Sequence, residues 1–145
     1  MAVRRLEHCN LLTPKFTETL NFYRDVLGMK YGPSPSGDIK ESAWIYDGGG
    51  TAVVHVQRVD PADPEKRFAL VRQRLGDLAG PLDLSRLKGG GAVEHIAFEC
   101  DEYDEIAAHL DKAGIRFTRN EVSSIKLRQL FLNDPNGVTL ELNFR

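Results

Sequence analysis

Apolar and polar residues alternate strictly at the end of the chain. Val138, Leu140, Leu142 and Phe144 are separated by Thr139, Glu141 and Asn143, the period of a half-buried strand. The preceding Asp134-Pro135-Asn136-Gly137 has the residue types of a tight turn. The pattern puts Glu141 on the polar face of that strand. A charge there means little if the face meets water. If it lines a cavity, the carboxylate needs a partner, and a metal ion is a good one.

The start of the chain has a related layout. Residues 3–12, VRRLEHCNLL, read as a first strand with Leu6, His8 and Asn10 on one face. Thr13-Pro14 supplies an N-cap hydroxyl and a first-turn proline. Phe16, Leu20, Tyr23 and Leu27 follow at helical spacing, and Gly28 stops the helix. MKYG is a short strand, 33–38 is a loop, and 41–57 predicts two strands around the hairpin Asp47–Gly50. Residues 58–91 read as a connector outside the core, with a short helix carrying Phe68, Val71 and Leu75. The order then returns: a strand over 92–100, a helix over 101–114, the short strand IRFTR, and two strands around the Asp134 turn. The expected fold is α+β: two βαβββ modules, 3–57 and 92–145, forming a curled mixed sheet with helices outside.

The repeat places chemistry at equivalent positions. His8 and His55 lie in the first and last strands of module one, 47 residues apart (8 to 55). His95 and Glu141 lie in the first and last strands of module two, 46 apart (95 to 141). The offset between modules is 87 from His8 to His95 and 86 from His55 to Glu141. The helix-closing glycines, Gly28 and Gly114, repeat at 86 as well. Ala52, Val54 and Val56 form an apolar face, so His55 points the other way; Glu141 is likewise opposite the apolar face of its strand. If both sheets curl with their concave faces together, the four side chains converge on one cavity and form a metal site.

On the same parity, Trp44 and Tyr46 oppose Ala43 and Ile45. They either line a substrate pocket or form exposed aromatic surface or a subunit contact. Gln129 and Phe131 turn inward by the same logic, with core packing or simple exposure as the alternatives. Arg128 reads as a surface arginine, with an anionic substrate as its other role. His109 falls on the polar face of the second helix, as a solvated histidine. The runs Gly48–Gly50 and Gly89–Gly91 precede no helix in a strand-turn-helix unit, which argues against phosphate loops.

Composition narrows the partners. A net charge of −2 over 145 residues gives no reason to expect nucleic acid or an anionic membrane. No apolar run is long enough for a signal peptide or a membrane span, so a cytoplasmic protein is expected. Cys9 and Cys100 sit in apolar strand contexts and read as buried, reduced thiols.

The duplicated module, FYRDVLGMKY after a first-strand histidine, EHIAFEC and NDPNGVTLEL together resemble the vicinal oxygen chelate superfamily. Its members include glyoxalase I, methylmalonyl-CoA epimerase, extradiol dioxygenases, and fosfomycin and bleomycin resistance proteins. The resemblance covers both modules and leaves only the connector outside. It implies one divalent metal on His8, His55, His95 and Glu141, with Zn, Fe, Ni or Co suited to three imidazoles and a carboxylate. It also implies a small substrate with two adjacent oxygens, a last-strand carboxylate able to act as general base, and a role for His55 as a ligand or nearby acid/base. Glyoxalase I would have Glu where His55 stands, and the epimerase Gln. An extradiol dioxygenase would use only His8, His95 and Glu141, around Fe(II). Bleomycin-resistance binders lack the metal set. A glyoxalase-type lyase or isomerase is therefore the first expectation, a ring-cleaving dioxygenase the second, and a sequestering protein the third. The expected assembly is a homodimer formed away from sites built in cis.

Overall fold

The computed structural model describes residues 3–34 and 38–145. Of the loop expected over 33–38, residues 35–37 lie outside the described residues. Two compact units divide the chain between Leu87 and Lys88.

In the first unit the chain runs β1 (Cys9–Thr13), α1 (Phe16–Asp25), β2 (Lys30–Pro33), β3 (Ser42–Tyr46), β4 (Ala52–Arg58) and α2 (Glu65–Leu75). The second contains β5 (Ile96–Glu99), α3 (Tyr103–Lys112), β6 (Phe117–Val122), β7 (Leu127–Asn133) and β8 (Thr139–Phe144). Each unit builds one four-stranded mixed sheet. The orders are β1-β4-β3-β2 and β5-β8-β7-β6, the same topology twice. In each sheet the first strand pairs parallel with the last, and the remaining pairs are antiparallel. The fold class is α+β, built from two βαβββ modules as the periodicity predicts.

Alternation explains the packing of each sheet. Ala43, Ile45, Val54 and Val56 are fully buried, and α1 turns Phe16, Thr19, Leu20 and Tyr23 inward. In the second unit Leu130, Leu132, Leu140, Leu142 and Phe144 form the buried face, and α3 contributes Ala107 and Leu110. Tyr103 of α3 meets Phe144 edge to face at 5.1 Å. With the apolar face spent on a helix, the opposite face of each sheet is left for polar side chains.

Both final hairpins close on an aspartate. Asp47 Oδ1 accepts hydrogen bonds from the Gly49 and Thr51 amides at 3.0 and 2.8 Å. Asp134 Oδ1 accepts from the Asn136 and Val138 amides at 2.8 and 2.9 Å. These Asx turns mimic backbone turns and set where β4 and β8 begin.

Three expectations change. The strands over 3–12 and 92–100 are shorter, because parallel pairing starts only at Cys9 and Ile96. His8 and His95 each stand one residue before their strand. Thr13 does not cap α1; its Oγ1 accepts from the Lys15 amide at 2.8 Å in a turn ahead of the helix. The helix of the connector joins the core of the first unit. Phe68 and Val71 are buried, while Leu75 stays exposed. Arg67 pins α2 to the sheet by donating to the Arg58 and Glu41 carbonyls at 2.9 and 3.0 Å. Among the described residues no helix is long and apolar enough to cross a membrane.

Candidate metal centre

The first unit places His8 beside His55 through strand register. Asn10 of β1 pairs with His55 of β4, and His8 lies two residues before Asn10 on the same face. The two imidazole centroids are 6.5 Å apart. Trp44 of β3 pairs with His55 and stacks on it, 4.4 Å between centroids and 9° between planes. Its other contact is His8, edge to face at 4.7 Å. Ser42 Oγ stands 2.7 Å from His55 Nε2, and Glu7 Oε2 stands 3.1 Å from His8 Nδ1. Burial pushes the His55 pKa down, and repulsion from His8, Arg74 and Arg67 adds to it. His55 therefore sits as the neutral imidazole at neutral pH, the form that can ligate a metal. Tyr46 is half-buried at the end of β3, where a register shift pairs it with Ala52.

The second unit builds a matching pair. Glu141 of β8 pairs with Ala97 of β5, and His95 lies two residues before Ala97. His95 Nε2 is 3.1 Å from Glu141 Oε2. The other ring nitrogen, Nδ1, is bonded to the Glu94 carboxylate, as His8 is to Glu7. That bond holds the His95 pKa above its ordinary value against desolvation, and Glu141 and Glu94 add attraction. Phe131 pairs with Glu141 and meets the His95 ring edge-on at 6.3 Å. Gln129 is buried, and its Nε2 donates to Glu141 Oε1 at 3.0 Å.

The donor types, three imidazoles and a carboxylate, are ones that divalent transition metals accept. Two ligands held about 2.1 Å from an ion at a right angle stand about 3.0 Å apart. The His95–Glu141 separation of 3.1 Å is that of a direct ion pair between the two side chains, and it is close to that edge. Two histidines backed by carboxylates leave Nε2 as the outward nitrogen, the arrangement that orients imidazole toward metals. The structure thus forms two pairs, His8 with His55 and His95 with Glu141. Among the described residues no group of three or more His, Cys, Asp or Glu is close enough to hold a metal ion.

Arg128 takes the surface role. It lies over the Tyr103 ring, 3.4 Å from its centroid, and donates to Asp104 at 2.8 Å. His109 is exposed on α3. A cavity of about 540 Å³ in the second unit is bordered by residues 114–118, 131–133 and Thr139, and Phe131 alone of the expected site residues lines it. The first unit has a cavity of about 630 Å³ beside Pro14, Phe16 and Lys40, and none of the expected site residues lines it. Sequence reasoning missed Glu7, Glu94, Ser42 and Asn143. The signal for the first two was visible, since Glu-His occurs twice, 87 residues apart (7 to 94).

The chain matches, over residues 5–142, the model of the Glyoxalase/Bleomycin resistance protein/Dioxygenase superfamily. It belongs to that superfamily. It is 27% identical over 139 residues to Glyoxylase I 4 of Arabidopsis thaliana, covering 94% of this chain and 68% of that protein. Its fold is similar to lactoylglutathione lyase from Agrobacterium tumefaciens, with TM-score 0.64, 14% identity, and coverage of 99% of this chain and 96% of that one. A glyoxalase/dioxygenase from Nostoc punctiforme is similar at TM-score 0.67 and 17% identity, over 97% of this chain and 90% of that one. These likenesses agree with the duplicated βαβββ module.

Proposed function

We propose that the chain is a divalent-metal-dependent enzyme of the glyoxalase type, acting on a small substrate with two adjacent oxygens. His8, His55, His95 and Glu141 are the proposed ligands. The observation that carries the reading is the His95–Glu141 pair, a nitrogen and a carboxylate oxygen at ligand–ligand distance, with Glu141 Oε1 tied back by amide donors. The likeness to Glyoxylase I 4 supports this branch.

When bound, the metal supplies Lewis-acid stabilisation of charge developing on the adjacent oxygens. The rest falls to side chains of the chain itself. Glu141 Oε2 takes the proton from the hydroxyl-bearing carbon beside the substrate carbonyl and returns it to the former carbonyl carbon. The hydroxyl proton passes to the former carbonyl oxygen, so that the two adjacent oxygens exchange roles. His55, neutral and half-buried, completes the donor set. Trp44 and Phe131 each face a ligand and restrict water around it. Tyr46 shares the sheet face of Trp44, and Gln129 that of Phe131. The proposed setting is cytoplasmic, in a homodimer with each site built in cis.

One observation favours a second reading. His55 Nε2 is engaged by Ser42 at 2.7 Å, so His55 can ligate through Nδ1 alone. Withdrawal of His55 leaves His8, His95 and Glu141, a two-histidine, one-carboxylate set suited to Fe(II) and ring-cleaving dioxygenation.

Metal analysis of protein purified without added metal, beside a Glu141→Gln variant, tests the proposal. Near-stoichiometric metal in the wild type and its loss in the variant are expected. Zinc or nickel with turnover of an α-keto hemithioacetal supports the lyase, and iron with oxygen uptake on a catechol moves the assignment to the dioxygenase. No metal after reconstitution with Fe, Ni, Zn and Co overturns both, and a sequestering protein becomes the reading.

A further inference from the structure

Glu141 does not hold its orientation alone. Gln129, opposite Asn143 on the neighbouring strand, lies diagonal to it. Gln129 Nε2 donates to Glu141 Oε1 at 3.0 Å and to Asn143 Oδ1 at 2.9 Å. Asn143 Nδ2 donates to the same Glu141 Oε1 at 2.7 Å. From the edge strand, Asn120 Nδ2 donates to Gln129 Oε1 at 2.6 Å. Gln129 and Asn143 thus each have their oxygen and nitrogen ends fixed by a neighbour. Gln129 cannot flip without facing two donors together and two acceptors together. Two N–H groups occupy Glu141 Oε1, which leaves Oε2 turned to His95 at 3.1 Å.

The first unit repeats the device with other chemistry. Ser42 is opposite Gln57, as Gln129 is opposite Asn143, and it lies diagonal to His55. The offsets are those of the ligands: 87 from Ser42 to Gln129, and 86 from Gln57 to Asn143. Ser42 Oγ is bonded to His55 Nε2 at 2.7 Å, and Trp44 fixes the ring plane from its face. Both Ser42 and Gln129 are buried polar residues on sheet faces that apolar side chains would fill at less cost.

We infer that Gln129 and Ser42 are positioning residues, each orienting the last-strand metal ligand of its own module, Glu141 and His55. The inference rests on the proposal that those two residues are ligands. A hydrogen bond from a neighbour fixes which donor atom faces outward, and losing such a neighbour weakens metal binding by about 10–100-fold. The duplicated offset extends past the ligands to the residues that aim them.

Cobalt(II) titration, followed by its visible absorption, tests this on wild type, Gln129→Met, Ser42→Ala and Ser42→Thr, with thermal unfolding before metal addition as the folding control. The expected result is a Kd weakened about 10–100-fold in Gln129→Met, with altered absorption bands. Ser42→Ala should weaken binding in the same direction, and Ser42→Thr should restore it. A purely structural role would lower Tm and leave the Kd and bands of the folded protein unchanged, and that result overturns the inference while the metal reading stands. If Gln129→Met does not fold, the exposed Asn120→Ala releases the same amide; a weaker Kd supports the inference and an unchanged one overturns it. A wild type that binds neither cobalt, nickel nor zinc overturns the ligand assignment itself, and the positioning role with it.

Discussion

Trp44 lies flat against His55, centroids 4.4 Å apart and planes 9° from parallel. It also meets His8 edge-on, so one indole touches both histidines of the first unit. Because Trp44 is the sole tryptophan of the chain, its emission reports on this pair. Saturable quenching by nickel or cobalt is expected, and His55→Gln should shift it to higher metal concentration. Metal that binds by equilibrium dialysis without changing Trp44 emission would place the ion away from His8 and His55.

Leu140 is fully buried on the apolar face of β8, one residue from Glu141. Leu140→Ala should cost about 2–5 kcal/mol through lost burial and the cavity left behind. Leu78, by contrast, is 88% exposed, and Leu78→Ala should stay within about 0.5 kcal/mol. Urea unfolding followed by circular dichroism checks both. Equal midpoints for the two variants would contradict the assigned core.

Gly28 and Gly114 follow α1 and α3 at equivalent positions, with φ of 68° and 67°. Gly114 donates to the Asp111 carbonyl at 3.1 Å while Ile115 reaches back to Leu110 at 2.9 Å, a Schellman closure. A Cβ at either glycine meets no atom within 4 Å, so only the left-handed backbone resists a side chain. Gly28→Ala and Gly114→Ala should each cost about 1–2 kcal/mol, and asparagine less. Chemical denaturation measures this; a stabilising alanine at either site would refute it.

Burial pushes the Cys100 thiol up to about 11, with Asp101 and Glu99 adding repulsion. At pH 8 its thiolate population, and with it the alkylation rate, should fall about 100-fold below that of the unfolded chain. Iodoacetamide labelling with peptide mapping, with and without denaturant, checks the ratio. The raised pKa also favours the fold below the unfolded thiol value, about 8.5, and that contribution is lost as pH rises through about 11. Equal labelling rates in folded and denatured protein would show that the thiol is not shielded.

Much of this molecule is legible from residue order, because side chains alternate across a strand and recur along a helix. That periodicity put His55 opposite Val54 and Val56, turned Glu141 away from Leu140 and Leu142, and showed two modules offset by 86 and 87 residues. It also located the Asp134 turn. Alternation assigns a face but not a neighbour. Gln129 reaches Glu141 only because β7 and β8 pair with Gln129 opposite Asn143, and Ser42 reaches His55 only through the register of β3 and β4. The same pairing begins β1 at Cys9 and β5 at Ile96, leaving His8 and His95 just outside. Phe68 and Val71 became core once Arg67 found the Arg58 and Glu41 carbonyls, partners 9 and 26 residues away. The sequence by itself determined which residues share a face and which positions are equivalent. Only the tertiary structure decided which side chains touch, since those bonds join residues brought together by strand register and helix docking, distances that no local pattern encodes.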